Sequence, residues 1–161
     1  MQIIETVDDA GNALAPEHVT QDARVTWQRI CSLDDIVPDT GVCALLGSAQ
    51  VAVFRVTLPA GAMHVLASDV EVLAAAGEKT VGEADSGIAE ALFAIGNVDP
   101  HSGASVLSRG VIGSVGERIV VASPLYKQHF DLRTGACLES PDHAVPTYRV
   151  ALKDGAIWLA T

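Results

Sequence analysis

Apolar and polar positions alternate from residue 25, with Val25, Trp27, Arg29 and Cys31 on one side and Thr26, Gln28, Ile30 and Ser32 on the other. A period of two predicts a strand. It runs into the turn-rich stretch SLDDIVPDTG, after which GVCALL (41–46) and VAVFRV (51–56) flank a GSAQ break and read as a hairpin. Further strands are predicted at ALFAIG (91–96), ERIVVAS (117–123) and HFDL (129–132). The strongest local signal is the end of the chain, where TYRVALK and AIWLA enclose Asp154-Gly155. That dipeptide supplies the positive φ angles of a two-residue type I′ turn, so a terminal hairpin is expected. The pattern gives eight or nine short strands and neither a long amphipathic helix nor βαβ alternation, which makes the chain all-β and excludes a doubly wound sheet.

Two stretches break the pattern. Residues 1–23 are polar and acidic without a sustained period and read as a mobile arm, leaving 24–161 as the folded domain. Residues 57–90 mix Ala-rich and Glu-rich pieces and read as an insertion of irregular or partly helical structure. Leu66, Val70, Leu73 and Ala74 fit one short amphipathic helix, while HVLASDVEVLA fits a strand equally well.

Composition sharpens this picture. With 161 residues, 49% of them hydrophobic, the chain can bury a core without help from a metal or disulfide. The net charge of −10 is lopsided, since residues 1–90 carry 14 acidic and 4 basic side chains and residues 91–161 carry 6 of each. Such a surface repels a polyphosphate backbone or an anionic membrane, so neither nucleic acid nor membrane is expected as a partner. The acidic start, MQIIETVDDAGN, lacks the pattern of a signal peptide and points to the cytoplasm. Cys31, Cys43 and Cys137 have neither disulfide nor zinc-ligand spacing and read as buried free thiols.

Candidate chemistry concentrates in two loops, NVDPHSGASVLSRG (97–110) and ASPLYKQHFDLRTG (122–135). Their framework resembles the cluster-binding loops of the Rieske family, a C-x-H-x-G loop and a C-P-x-H loop followed by F-D-L-x-T-G. The second loop retains Pro124 and the run Phe130 to Gly135, and the first retains Pro100, His101 and Gly103. Carried over position by position, the resemblance places the two cysteine ligands at Asp99 and Ser123 and the two histidine ligands at His101 and Tyr126. A Rieske cluster needs two thiolates on one iron and two imidazoles on the other. One ligand of four survives, so no cluster and no other metal is expected.

Within that superfamily, SPLYKQHFDLRTGACLESP, NVDPHSGASVLSRGVIG, VPTYRVALKDGAIWL and WQRICSLDDIVPDTGVCALLGSAQVAVFRV together resemble the small subunits of assimilatory NAD(P)H-dependent nitrite reductases. The resemblance covers residues 25–56 and 91–160 and leaves the 57–90 insertion outside it. It implies a Rieske-like β-sandwich with a small loop-bearing subdomain. It also implies an accessory subunit without catalytic residues or cofactor, supporting a large subunit that carries FAD, sirohaem and a [4Fe–4S] cluster and reduces nitrite to ammonia. A Rieske-type electron carrier and a small-molecule or protein-binding module using the vacated pocket between Asp99, His101 and Tyr126 are the alternatives.

Individual residues have plain readings beside these. Asp99 and His101 could act as an acid/base pair, but a space-filling pair bonded to each other or to backbone is the stronger expectation. Tyr126 is expected as an apolar plug and Ser123 as a small replacement for a thiol. Arg109, Lys127 and Arg133 lie in or beside the two loops and would form a basic patch for the large subunit, or be ordinary solvated charges. His129 reads as a surface side chain, His18, His64 and His143 share no spacing with other ligand types, and Trp27 and Trp158 read as core or edge packing.

Overall fold

A computed structural model describes residues 25–58, 71–73 and 89–161. Among the described residues ten antiparallel strands form three sheets: β1 (Trp27–Ser32) with β10 (Ala156–Ala160) and β9 (Val150–Lys153); β2 (Thr40–Leu46), β3 (Ala49–Leu58), β5 (Ala89–Gly96) and β4 (Glu71–Leu73), in that order; and β6 (Val111–Val115), β7 (Arg118–Ala122) and β8 (His129–Asp131). The all-β expectation holds.

The central sheet is covered on both faces. From β3, Val51 and Val53 point into a core shared with Ile157 and Leu159 of β10, whereas Ala52, Phe54, Val56 and Leu58 point into a second core with Val121 of β7 and Phe130 of β8. Strand β5 divides likewise, Leu92 and Ala94 on one side, Ala91, Phe93 and Ile95 on the other. This is why VAVFRV and ALFAIG read as continuous apolar runs: a strand buried on both faces has no polar side to alternate with. Arg55 is the exception in β3. Its guanidinium pairs with Glu90 at 2.9 Å and donates to the carbonyls of Leu33 and Ile36, so the half-buried charge is satisfied.

The terminal hairpin forms with the expected register, Ala156 opposite Lys153, and Asp154 and Gly155 take φ values of 52° and 71°. Strand β6 was not predicted; its VIGSV sequence is largely exposed and contains Gly113, so it carries little periodic signal. The predicted arm 1–23 lies outside the described residues, as does most of the 57–90 insertion. Where that insertion is described it is extended: β3 reaches Leu58, β5 starts at Ala89, and Glu71–Leu73 pairs with β5, so Leu73 belongs to a strand and not to the helix its spacing also allowed.

Candidate functional site: three equivalent turns beside the second core

One turn occurs three times, once after β5 of the central sheet and twice around β8 of the third sheet. Asp99 accepts at Oδ1 from the His101 amide at 2.8 Å, its carbonyl accepts from the Gly103 amide at 2.7 Å, and its own amide donates to Ala104 at 2.8 Å. Asp131 repeats each bond, with the amides of Arg133 (2.8 Å) and Gly135 (2.8 Å) and the carbonyl of Ala136 (2.9 Å). Ser123 does the same with the amides of Leu125 (3.3 Å) and Lys127 (3.0 Å) and the carbonyl of Gln128 (2.9 Å). The fifth residue of each turn is left-handed: Gly103 at φ 70°, Lys127 at 63° and Gly135 at 73°. Two copies are visible in the sequence as DPHSGA and DLRTGA, a repeat that the fold resemblance by itself passes over. The third, SPLYKQ, is masked because a lysine occupies the position that favours glycine. Left-handed lysine costs about 1–2 kcal/mol. Lys127→Gly is therefore expected to stabilise the domain by about 0.5–1 kcal/mol after the extra chain entropy of glycine is offset, read as a higher urea midpoint at unchanged slope.

Equivalent turns bring the two former cysteine positions together. Asp99 and Ser123 are both fully buried, and Ser123 Oγ donates to Asp99 Oδ2 at 2.5 Å. Burial pushes the Asp99 carboxyl upward, but the Ser123 hydroxyl, then the amides of His101 and Ser102, then the His101 ring outweigh it, and the group sits below the usual carboxylate range. The carboxylate accepts from the backbone amide of His101 through one oxygen and from Ser123 through the other. Tyr126 departs from expectation. It is 61% exposed and plugs nothing, because a hairpin tip one residue before the left-handed position leaves its side chain outside the core.

The surviving ligand type, His101, is turned away from this pair. Its ring lies 4.2 Å from that of His143 and 6.3 Å from that of Phe130, with Nε2 3.7 Å from Cys137 Sγ. An iron-sulfur cluster does not fit these residues. A carboxylate and a hydroxyl occupy the thiolate positions and are bonded to each other, one imidazole is directed elsewhere and the other is replaced by an exposed phenol.

The remaining predicted residues are dispersed. Lys127 is at the tip of the second turn, where Nζ donates to the Pro124 carbonyl at 3.2 Å, and Arg109 is exposed at the end of the 3-10 turn Leu107–Arg109. Arg133 instead lines a groove of about 560 Å³ with Thr134, Thr147, Tyr148 and Arg149. Asn97, which the sequence did not single out, anchors the first loop: buried, it accepts from the Ser108 amide through Oδ1 at 2.8 Å and donates through Nδ2 to Cys43 Sγ at 3.2 Å. Of the three thiols only Cys137 is buried; Cys31 is intermediate and Cys43, on the edge strand β2, is exposed. His129 is at the surface, where it pairs with Glu139 at 2.6 Å. Trp27 is on an edge strand and 39% exposed, with the Arg149 guanidinium 5.7 Å from its ring centroid.

Three small antiparallel sheets with two loops, one after β5 and one between β7 and β8, define a Rieske-like domain, and a family model described as "Rieske-like [2Fe-2S] domain" matches residues 26–68 and 58–160. The chain is 39% identical to the nitrite reductase (NADH) small subunit of Escherichia coli (strain K12) over 133 residues, 83% of this chain and 95% of that one. Its fold matches the solution structure of the E. coli protein NirD at a TM-score of 0.59 with 36% identity, covering 85% of this chain and 97% of that one. The chain belongs to the family of nitrite reductase small subunits. A further relative, the nitrite reductase [NAD(P)H] large subunit of Klebsiella oxytoca, is 32% identical over the same share of this chain, which corresponds to 11% of that longer polypeptide.

Proposed function

We propose that this chain is the small subunit of an assimilatory NAD(P)H-dependent nitrite reductase, holds no redox group itself, and acts by binding and supporting a large subunit that carries FAD, sirohaem and a [4Fe–4S] cluster. The observation that carries the reading is the end-to-end similarity to a nitrite reductase small subunit, 95% of which is covered. The Klebsiella oxytoca relative supports it: there a domain like this one is part of a chain named as the large subunit, so the two units occur joined.

The chemistry of the site fits a supporting role. The Asp99–Ser123 hydrogen bond puts two oxygen groups that satisfy each other where an iron-sulfur cluster would need two thiolates. Among the described residues no helix is long and apolar enough to cross a membrane. Work in the cytoplasm, where nicotinamide nucleotide is available, accords with that. Docking would use the exposed charges of the outer loops, Arg109 and Lys127, with Arg133 reaching the partner from its groove.

Two measurements test this. Co-expressed with a tagged large subunit, the chain is expected to co-purify with it. The triple change Arg109→Ala, Lys127→Ala and Arg133→Ala should weaken retention about tenfold or more and flatten its dependence on salt. Retention indifferent to all three changes would remove the docking assignment. The chain purified alone is expected to be colourless, and two irons and two sulfides per chain with a Rieske-type spin-resonance signal would overturn the cofactor-free assignment.

A further inference from the structure

The sheet of β1, β10 and β9 buries one face, with Val150, Ile157 and Leu159 in the core. The outer face of such a sheet is ordinarily polar. Here it carries both tryptophans of the chain. Trp27 stands opposite Ala160 and Trp158 opposite Ala151, and residues opposed in an antiparallel ladder share a face. Trp27, Ala151, Lys153 and Trp158 line a hollow of about 290 Å³. Trp27 is 39% exposed, with the Arg149 guanidinium 5.7 Å from its ring centroid. The three strands contain two charged residues, Arg29 and Lys153, both cationic, in a chain whose net charge is −10. The face is an aromatic hollow with a basic margin.

Both ends of the domain meet beside it. The family match begins at residue 26 and ends at residue 160. The Thr161 amide donates to the Thr26 carbonyl at 2.8 Å, and Trp27 is paired with Ala160. In the Klebsiella oxytoca polypeptide the matching domain corresponds to 11% of the chain, so the remainder is joined to it through one of these ends or both. Either end emerges next to Trp27. From this placement we infer that the outer face of the terminal sheet seats the large subunit, its hollow taking an apolar side chain flanked by carboxylates. The inference rests on the reading of this chain as a small subunit and adds the surface that holds its partner. Tryptophan and arginine are the residue types most enriched among interface anchors, and a basic margin favours an acidic counterpart. Arg149 and Arg133 line one groove, so the seat is continuous with the docking charge of Arg133. Exposed charges speed encounter and are screened by salt, whereas buried aromatic anchors slow dissociation.

Dissociation of the full chain from immobilised large subunit is the test. Trp27→Ala is expected to speed it at least about tenfold, and Trp27→Phe to restore most of the lost residence time. Ala151→Arg fills the hollow without removing a contact. It should also speed dissociation at least about tenfold while leaving the thermal midpoint of the chain in place, which keeps the test decisive even if Trp27→Ala fails to fold. If the unaltered chain binds and Ala151→Arg leaves at the same rate, the seat is overturned and the small-subunit reading stands. If the unaltered chain does not bind, both fall. Unchanged binding together with a dimer of the chain that Ala151→Arg splits in sedimentation would give the hollow to a second copy and overturn the proposal.

Discussion

Gly135→Ala is expected to cost at least about 4 kcal/mol, whereas the same change at Gly103, in an equivalent turn, is expected to cost about 1–2 kcal/mol. Both glycines have φ near 70°, so both variants carry the penalty of a left-handed alanine. The difference lies in what surrounds them. A Cβ at Gly103 meets nothing within 4 Å, but at Gly135 it would stand 2.0 Å from the Val145 carbonyl oxygen. Backbone at that distance must move, and this backbone is tied on both sides. Val145 is buried and its amide donates to the Gly135 carbonyl at 2.9 Å; Pro146 accepts from the Gly96 amide at 2.8 Å; Thr147 bridges Ile95. Relieving the collision therefore detaches the crossing segment from the central sheet. Urea unfolding of the two variants side by side is the check. Equal losses would mean that segment 145–147 is not packed on the turn.

Asp99→Ala is expected to cost about 3 kcal/mol, because it leaves a buried hydroxyl and two amides without their acceptor. Asp99→Asn keeps the shape and some of the acceptors and should lose about half as much. The charge also sets a pH dependence. The folded-state value of Asp99 is depressed, so its contribution is complete above the unfolded value of about 3.9 and is lost as pH falls through the lower folded value. Below about pH 4 the unaltered protein should therefore lose stability more steeply than Asp99→Asn does. Parallel acid limbs for the two proteins would show that Asp99 carries no such charge-dependent stabilisation. The same pair explains why an oxygen-for-sulfur exchange is tolerated at a buried position. Each hard donor supplies what the other needs.

Local chemistry of this kind was legible wherever a residue decides its own conformation. Asp154-Gly155 announces its hairpin, and DPHSGA and DLRTGA announce their turns, since an aspartate that caps its own loop and a glycine in the left-handed region do not depend on distant neighbours. Both-face burial was legible too, as the unbroken apolar runs of β3 and β5. Lys127 marks the limit: a turn held by its neighbours forces a residue into a conformation that its type does not advertise. Tyr126 marks another, for a position in a motif says nothing about which way the side chain is turned.

By itself the sequence determined the all-β class, most of the strands and the terminal hairpin, because each depends on residue type, period two or short spacing. Only the tertiary structure decided that Asp99 bonds Ser123 from 24 positions away, that Gly135 lies under Val145, and that the His101 ring lies beside Cys137 and His143. These are contacts between separate chain segments. Their geometry is fixed by how three sheets pack, and no local pattern encodes it.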